Sequence, residues 1–504
     1  ADRQFWAWKL IDFPNGTFQG FANGLSSLLA NEFIADTLPA EPLIHRIRDY
    51  ISAIPTVTRR DGSLEEAFPF EKSFCVTALV AYDALRTLEN LSSIKRQDVL
   101  PDPDKVIGPL IRFVVRADET HGLISNHLAT AVAALARWHL LTGESAAKAK
   151  AESLLDRILN NQSEEGWFRE YDGADPGYQT LCVSYLADVT KHLETPRLDQ
   201  ALEKSTSFLV HFVNGDGSFA GLYGSRGTRL YYPAGLEELA PKSPESEALA
   251  VVMRDQIQDH RTVPLTSIDA PNLSPVFNNY CQALAARHRR LSGNSEMTIE
   301  EARRHIPAFA GQAQTKHYPS AGLIVDSGPS HHTVVSTAKG GMIHHAKGGT
   351  TVHADWAFLA RDKTGRFWST QHQTNDNQVQ FEEDKGLVTV QAEIRSVSSL
   401  VPTPVRFVLL RLLNLTVMRL PAANEIVKRL LVRLLITGKG KPAGHVTREI
   451  RLGEEPRFND QVSARIDLRP LSSDRPYCVI HMASQGYWQI QDAEAAAPKD
   501  GGTG

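Results

Sequence analysis

Cysteine is scarce in this chain. Cys75, Cys182, Cys281 and Cys478 are the four in 504 residues, and no two are spaced as CxxC. That excludes a cysteine zinc ribbon and a dithiol redox motif, and single scattered cysteines read as buried free thiols. Long apolar runs are missing as well. No stretch of 18 uncharged apolar residues occurs, so no transmembrane helix is predicted. Nor is there an excess of positive charge: 54 Lys and Arg stand against 58 Asp and Glu, a formal net charge of −4. A dedicated nucleic-acid binder is basic overall, so no nucleic-acid partner is expected. The start of the sequence shows no basic segment leading into an apolar one, the mark of a secretory signal. A native start favours the cytoplasm or the membrane periphery, and a start left by signal cleavage favours the periplasm.

What is present is ordinary globular material, 42% hydrophobic and 22% charged, long enough for two to four domains. Apolar residues recur at helical spacing in 75–91, 127–141, 151–159, 180–192, 198–213 and 277–291. The breaks between these stretches resemble one another: Asp61-Gly62-Ser63-Leu64, His121-Gly122-Leu123-Ile124, Glu165-Gly166-Trp167-Phe168 and Asp216-Gly217-Ser218-Phe219, with starts 60, 44 and 51 residues apart. Two helices per such period predict stacked helical hairpins. Arranged around an axis, they make an α/α toroid, an incomplete barrel of hairpins with its glycine turns at one mouth. Loops gathered there are the natural place for binding groups.

The period changes near 290–320. Short alternating runs follow at 351–359, 366–372, 387–395, 446–452, 461–468 and 477–482, punctuated by Gly, Asn and Asp. They predict an antiparallel β-sandwich. The expected fold is therefore α+β and multidomain: a toroid over 1–300, a sandwich over 320–490, and a disordered small-residue tail at 491–504. One helical segment, 402–440, interrupts the strands. Between 401 and 441 eight Lys and Arg face the single acid Glu425. It reads either as a basic amphipathic hairpin making peripheral contact with an anionic membrane or as an insertion packed on the rest of the protein.

Three loops and one strand carry the candidate chemistry. The first loop ends in Asn126-His127 at a helix start, where Asn126 could be a simple N-cap. The second, 164–180, crowds Trp167, Glu170, Tyr171, Tyr178 and Gln179 with further carboxylates into one turn, a palette suited to carbohydrate. The third, 216–232, sets Tyr223, Arg226, Arg229, Tyr231 and Tyr232 among glycines, a set suited to an acidic ligand. In the strand Thr351-Val352-His353-Ala354-Asp355, period two puts His353 and Asp355 on one face. His344 and His345 lie upstream and His372 downstream, so His353, Asp355 and His372 could hold a structural zinc ion. The alternative is a hydrogen-bonded His–Asp pair.

These motifs and their order resemble the heparinase II/III-like family of polysaccharide lyases. The likeness runs over roughly 60–490, and the stretch from Gly166-Trp167-Phe168 to Asp175-Pro176-Gly177-Tyr178-Gln179-Thr180 is similar to members found among bacterial surface-polysaccharide genes. The resemblance implies that Asn126 neutralises a substrate carboxylate, that His127 and Tyr178 are catalytic, and that His353 and Asp355 form the sandwich His-x-Asp. Thr351 stands where the family motif often has a further His, for which His344 or His345 could substitute. Arg226 and Tyr232 complete the implied catalytic set. Trp167, Glu170, Tyr171, Gln179, Tyr223, Arg229, Tyr231, His344 and His345 make up the implied substrate-binding set.

The implied reaction is β-elimination on an acidic polysaccharide or oligosaccharide, with no cofactor required. Removing the proton beside a uronate carboxylate builds an enolate-like dianion, so donors must already be aimed at that carboxylate. A base and an acid must also be in reach, and a Tyr base needs a cationic neighbour. Two rivals are kept. A glycoside hydrolase would need two carboxylates roughly 5–10 Å apart, for which Glu65, Glu66, Glu170, Asp172 and Asp175 are candidates. A non-catalytic glycan-binding protein at the membrane surface would keep the aromatics without acid or base.

Overall fold

The computed structural model describes residues 15–471, apart from 35–38, 67–69, 121, 194, 269, 294, 398–403 and much of 421–439. His121, the run 477–482, the tail 491–504 and most of the second half of the basic insertion lie outside the described residues.

Helices fill the first three hundred residues. They are α1 (Phe21–Ala30), α2 (Ala40–Val57), α3 (Phe74–Ser93), α4 (Gly108–Arg116), α5 (Ser125–Thr142) and α6 (Ser145–Leu159). Then come α7 (Pro176–Val189), α8 (Pro196–Leu209), α9 (Ala234–Leu239), α10 (Pro244–Gln258), α11 (Ala270–Leu291) and α12 (Ile299–Arg304). Six of them form a circuit in which α1 touches α3, α3 touches α5, and so on through α7, α9 and α11, which returns to α1. The circuit of contacts thus closes on itself. Against it lie α2, α4, α6, α8 and α10; α4 touches both α3 and α5, and each of the others touches one inner helix.

The sequence itself separates the two layers. Helices α5 and α7 are buried along most of their length, α5 through a run of small residues that includes Ala129, Ala131, Ala133 and Ala134. A helix apolar all round belongs inside. Outer helices bury one stripe: Ile44, Ile47, Ile51 and Ile54 on α2, and Ala147, Ala151, Leu154 and Ile158 on α6.

The repeated glycines have a steric cause. Gly62 and Gly166 sit at φ +91° and +96°, and a Cβ on either would collide with a backbone carbonyl, that of Pro109 or Lys204. Gly166→Ala is therefore expected to cost about 1–3 kcal/mol. Denaturant unfolding of the variant checks this, and an unchanged midpoint would contradict it.

The strands follow. A hairpin within the helical part joins β1 (Arg169–Glu170) to β2 (Gly173–Ala174). One five-stranded antiparallel meander runs β3 (Gln314–Tyr318), β4 (Leu323–Ser327), β5 (His331–Ser336), β6 (Met342–Lys347) and β7 (Thr350–Asp355). The second sheet holds β8 (Leu359–Asp362), β9 (Phe367–Ser369), β10 (Gln378–Glu382), β11 (Leu387–Ser396), β12 (Pro442–Arg451), β13 (Arg457–Ala464) and β14 (Leu468–Pro470), in the order β13-β12-β11-β9-β8-β14 with β10 beside β11. Between β11 and β12 comes helix α13 (Pro404–Leu415).

The meander is buried on both faces. Leu323, Val325, Val334 and Met342 belong to the core of the helical ring. Their neighbours Ile324, Val335 and Ile343 pack on Val388, Val390, Ala392 and Ile450 of the second sheet. Alternation along each strand thus glues helices to one face and a sheet to the other. Arg448 of β12, fully buried, adds a polar clasp. Its guanidinium pairs with Asp355 of β7, donates to both carboxylate oxygens of Asp460 on β13 at 2.7 and 2.6 Å, and reaches the Gly341 carbonyl at 3.2 Å.

Candidate active site

The start of α5 and the β1–β2 hairpin meet at one end of the helical ring. The Ser125 hydroxyl donates to the Arg169 carbonyl (2.7 Å), and the Tyr171 N–H donates to the Leu123 carbonyl (3.0 Å). Tyr171 turns the hairpin in the left-handed region, φ +57°. Glu170 then points at the helix end. Its carboxylate accepts from the Asn126 N–H (3.0 Å) and from the Asn126 side-chain amide (2.8 Å). The cap of α5 is therefore a carboxylate 44 residues away, not Asn126 itself. Burial pushes the Glu170 carboxyl up to about 7, against the pull of the Asn126 donors.

One residue on, the His127 ring Nδ1 lies 2.8 Å from Glu119 Oε2. Glu119 is buried, while the His127 side chain keeps 23% of its surface open to solvent. Burial works against the imidazolium. The Cys75 sulfur and the Glu119 carboxylate outweigh it and raise the His127 pKa well above its usual value.

Across from His127 stands the Tyr171 ring, with the Arg226 guanidinium stacked 4.4 Å over it. Burial pushes the Tyr171 phenol up, the charges of His127 and Arg226 pull it down, and Glu119 and Glu170 oppose them. The charges of His127, Arg226, Glu119 and Glu170 thus all act on the Tyr171 phenol. Arg226 is aimed by Asp175, which is buried and accepts from the backbone of Tyr178 (3.0 Å), Arg226 (2.9 Å) and Thr228 (3.3 Å). Asp175 thus caps α7 and pins the 224–228 loop in one stroke. From the five-stranded sheet the Lys339 ammonium donates to the carbonyls of Leu222 and Gly224.

Several expected site residues are differently employed. Tyr178 is the third residue of α7, half-buried against the helical core. Tyr223, Tyr231 and Tyr232 are buried core aromatics rather than cleft groups: Tyr223 donates to Asn214 (3.1 Å) and Tyr231 packs edge-on against Phe219. The glycines of 216–232 let the loop tuck its rings inward. Gln179 is buried and bonded to Ser205 (2.7 Å). The Trp167 indole N–H donates to Glu165 (3.0 Å) and Ser320 (3.2 Å), and Glu165 in turn accepts from the backbone of Ser320 and Ala321. Both residues fasten the ring to the first sheet.

A second polar group forms where β6 meets the 216–229 loop. His344 lies within the electrostatic reach of Asp216 and Arg229, its ring 6.1 Å from that of Tyr223, and burial pushes its pKa down. Thr351 donates its hydroxyl to Asp216. His345, adjacent on the strand, faces the other way and pairs with the Thr333 hydroxyl (2.8 Å). His344 and His345 therefore cannot serve one pocket together.

The metal expectation is corrected. Asp355 is committed to Arg448 and to the Ala357 N–H (2.9 Å), and His353 lies against Phe458. His372 lies on the loop after β9, in the second sheet. Among the described residues no group of three or more His, Cys, Asp or Glu could hold a metal ion. Period two was right in placing His353 and Asp355 on one face. The buried arginine that takes the carboxylate lies 93 residues away, out of reach of local reading.

The carboxylates that a hydrolase would need are also engaged. Glu65 pairs with Arg59 (2.9 Å), Glu66 accepts from Ser73 (2.7 Å), Glu170 and Asp175 cap helices, and the exposed Asp172 stands 4.0 Å from Arg169. Glu119, absent from the sequence-based set, is the buried acid that matters. Its only signal was position, eight residues before His127 at the mouth of a repeated turn.

No family model matches the chain, and no curated protein does. Among solved structures the chain is similar to heparinase III, at 12% identity and TM-score 0.46, covering 71% of this chain and 57% of that one. It is similar to a xanthan lyase from Paenibacillus at 10% identity and TM-score 0.45, covering 87% and 43%. A family 88 glycosyl hydrolase from Bacteroides vulgatus is similar at 9% identity and TM-score 0.39, covering 55% and 93%. At this level of likeness the reaction has to be argued from the side chains.

Proposed function

We propose that the protein is a polysaccharide lyase cleaving a uronic-acid-containing chain by β-elimination, with 1–300 as a catalytic α/α toroid and 320–490 as a β-sandwich packed on it. The observation that carries this reading is the Arg226 guanidinium stacked on Tyr171 beside an imidazole held by buried Glu119. Two cations and a phenol at one partly open spot are what a uronate needs. Arg226 and the His127 imidazolium neutralise the carboxylate as negative charge grows on it. The same two charges favour the Tyr171 phenolate.

The phenolate takes the proton from the carbon beside the carboxylate. The C–H electron pair becomes the new C=C bond, and the bond to the leaving glycosidic oxygen breaks. Phenol, now protonated, returns that proton to the departing oxygen. Glu119 keeps His127 charged and oriented, and Asp175 keeps Arg226 in place through its backbone. A hydrolase reading finds its carboxylates already engaged, and a purely binding role leaves the buried Glu119–His127 pair without a task.

The test is incubation with a panel of uronate polysaccharides, read by ultraviolet absorbance. Absorbing unsaturated ends are expected, and plain reducing ends without absorbance would replace the lyase reading by a hydrolase. The pH dependence follows from the same groups. Activity requires the phenolate and the imidazolium together, and both pKa values are displaced upward. kcat/KM is expected to rise with pH through neutrality, peak in the alkaline range and fall as His127 loses its proton. A maximum below pH 7 would contradict this assignment.

A further inference from the structure

Helix α13 carries its apolar side chains on the outside. Val405 is 69% exposed, and Val408, Leu409, Leu412, Leu413 and Leu415 are exposed with it. The pattern continues past the helix, where Leu420 and Ile426 are 63% and 68% exposed. Among the described residues, most of the exposed large apolar side chains fall between 405 and 430. On a helical wheel Val405, Val408, Leu409, Leu412, Leu413 and Leu415 span an arc of roughly 160°, the register puts Arg411 at one of its borders, and the exposed Phe407 lies beyond that arginine. Met418, in the turn Val417–Arg419 that follows, is fully buried and anchors the base of the helix.

Charge says what covers this face. Residues 401–441 carry a net +7 on a chain whose formal charge is −4, so the remainder carries −11. A second copy of the chain would bring two such +7 segments together, which disfavours self-association through this face. A groove on a protein partner takes one helical stripe, whereas here the apolar surface extends over α13 and the segment beyond it. Crossing a bilayer is also excluded for the described residues, since no helix is long and apolar enough. Twelve residues of α13 reach about 18 Å, short of the ~30 Å hydrocarbon core.

We propose that the 404–420 segment docks the protein on the surface of an anionic lipid bilayer, α13 lying in the interface with its apolar arc among the acyl chains and Arg411 and Arg419 at the headgroups. The geometry is that of an in-plane amphipathic helix, with Arg411 at the border of the arc on the side of the headgroups. This inference is independent of the reaction proposed above.

Sedimentation of the full chain with vesicles tests it. Phosphatidylcholine vesicles containing about one-third phosphatidylglycerol are expected to bind it at least ~10-fold better than phosphatidylcholine alone at low salt. The double variant Val405→Glu, Leu409→Glu should lose at least ~10-fold in binding and keep the wild-type melting temperature. Should that variant melt early, Arg411→Glu with Arg419→Glu is the second measurement, and the same loss is expected. Three results would overturn the proposal: wild-type protein left in the supernatant with the anionic vesicles, stably folded variants that bind as well as wild type, or a solution dimer that Val405→Glu, Leu409→Glu dissociates.

Discussion

Tyr171→Phe is expected to lower kcat on a cleavable uronate polysaccharide by about 10²–10⁴-fold, with little change in KM or melting temperature. The phenylalanine keeps the ring under Arg226 and removes only the hydroxyl that moves the proton. Tyr178→Phe is the decisive companion. The sequence resemblance assigns the catalytic role to Tyr178, whereas the Arg226 guanidinium stacks on Tyr171. If Tyr178→Phe loses turnover and Tyr171→Phe keeps it, the assignment made from the site is wrong. His127→Gln should lose activity alongside Tyr171→Phe. Combining the two should cost far less than the product of the single effects, because groups acting in one proton transfer are not additive.

Arg448→Met is expected to produce the largest loss of stability, about 3–5 kcal/mol. The methionine fits the volume of the arginine stem but leaves Asp355 buried without its cation and strips Asp460 of a two-pronged partner. Chemical denaturation measures the effect. Adding Asp355→Asn and Asp460→Asn to Arg448→Met should recover part of the loss, since what hurts is the orphaned charge rather than the missing pair. A single Arg448→Met variant as stable as wild type would show that the clasp between the sheets is ornamental.

How much was legible beforehand depends on how local the signal was. The glycine turns could be read because the positive φ of Gly62 and Gly166 is a local requirement, although the carbonyls of Pro109 and Lys204 that a Cβ there would strike lie far along the chain. Outer helices α6 and α8 could be read because each buries a single stripe, as α6 does with Ala147, Ala151, Leu154 and Ile158, whereas α2, α4 and α10 fall outside the stretches that spacing picked out. Strands β4 to β6 were missed because this part of the meander is covered on both faces. Runs such as Leu323-Ile324-Val325 and Val334-Val335 show no alternation of polar and apolar residues. The site divides in the same way. Asn126, His127 and Arg226 stood out as residue types in suggestive loops. That Glu170 caps α5 from 44 residues away, or that Tyr171 rather than Tyr178 meets the guanidinium, depends on how the hairpin folds back, which no spacing encodes.

The doubly covered meander has a consequence for how the molecule comes apart. Stripping away the ring would bare Leu323, Val325, Val334 and Met342, and stripping away the outer sheet would bare Ile324, Val335 and Ile343. Neither half keeps a sealed interior by itself, and Lys339, which tethers the loop bearing Arg226, departs with the strands. Heat or denaturant should therefore dismantle the reactive mouth and both layers in one cooperative step, and a nick between Arg304 and Gln314 would leave two fragments still clinging to each other.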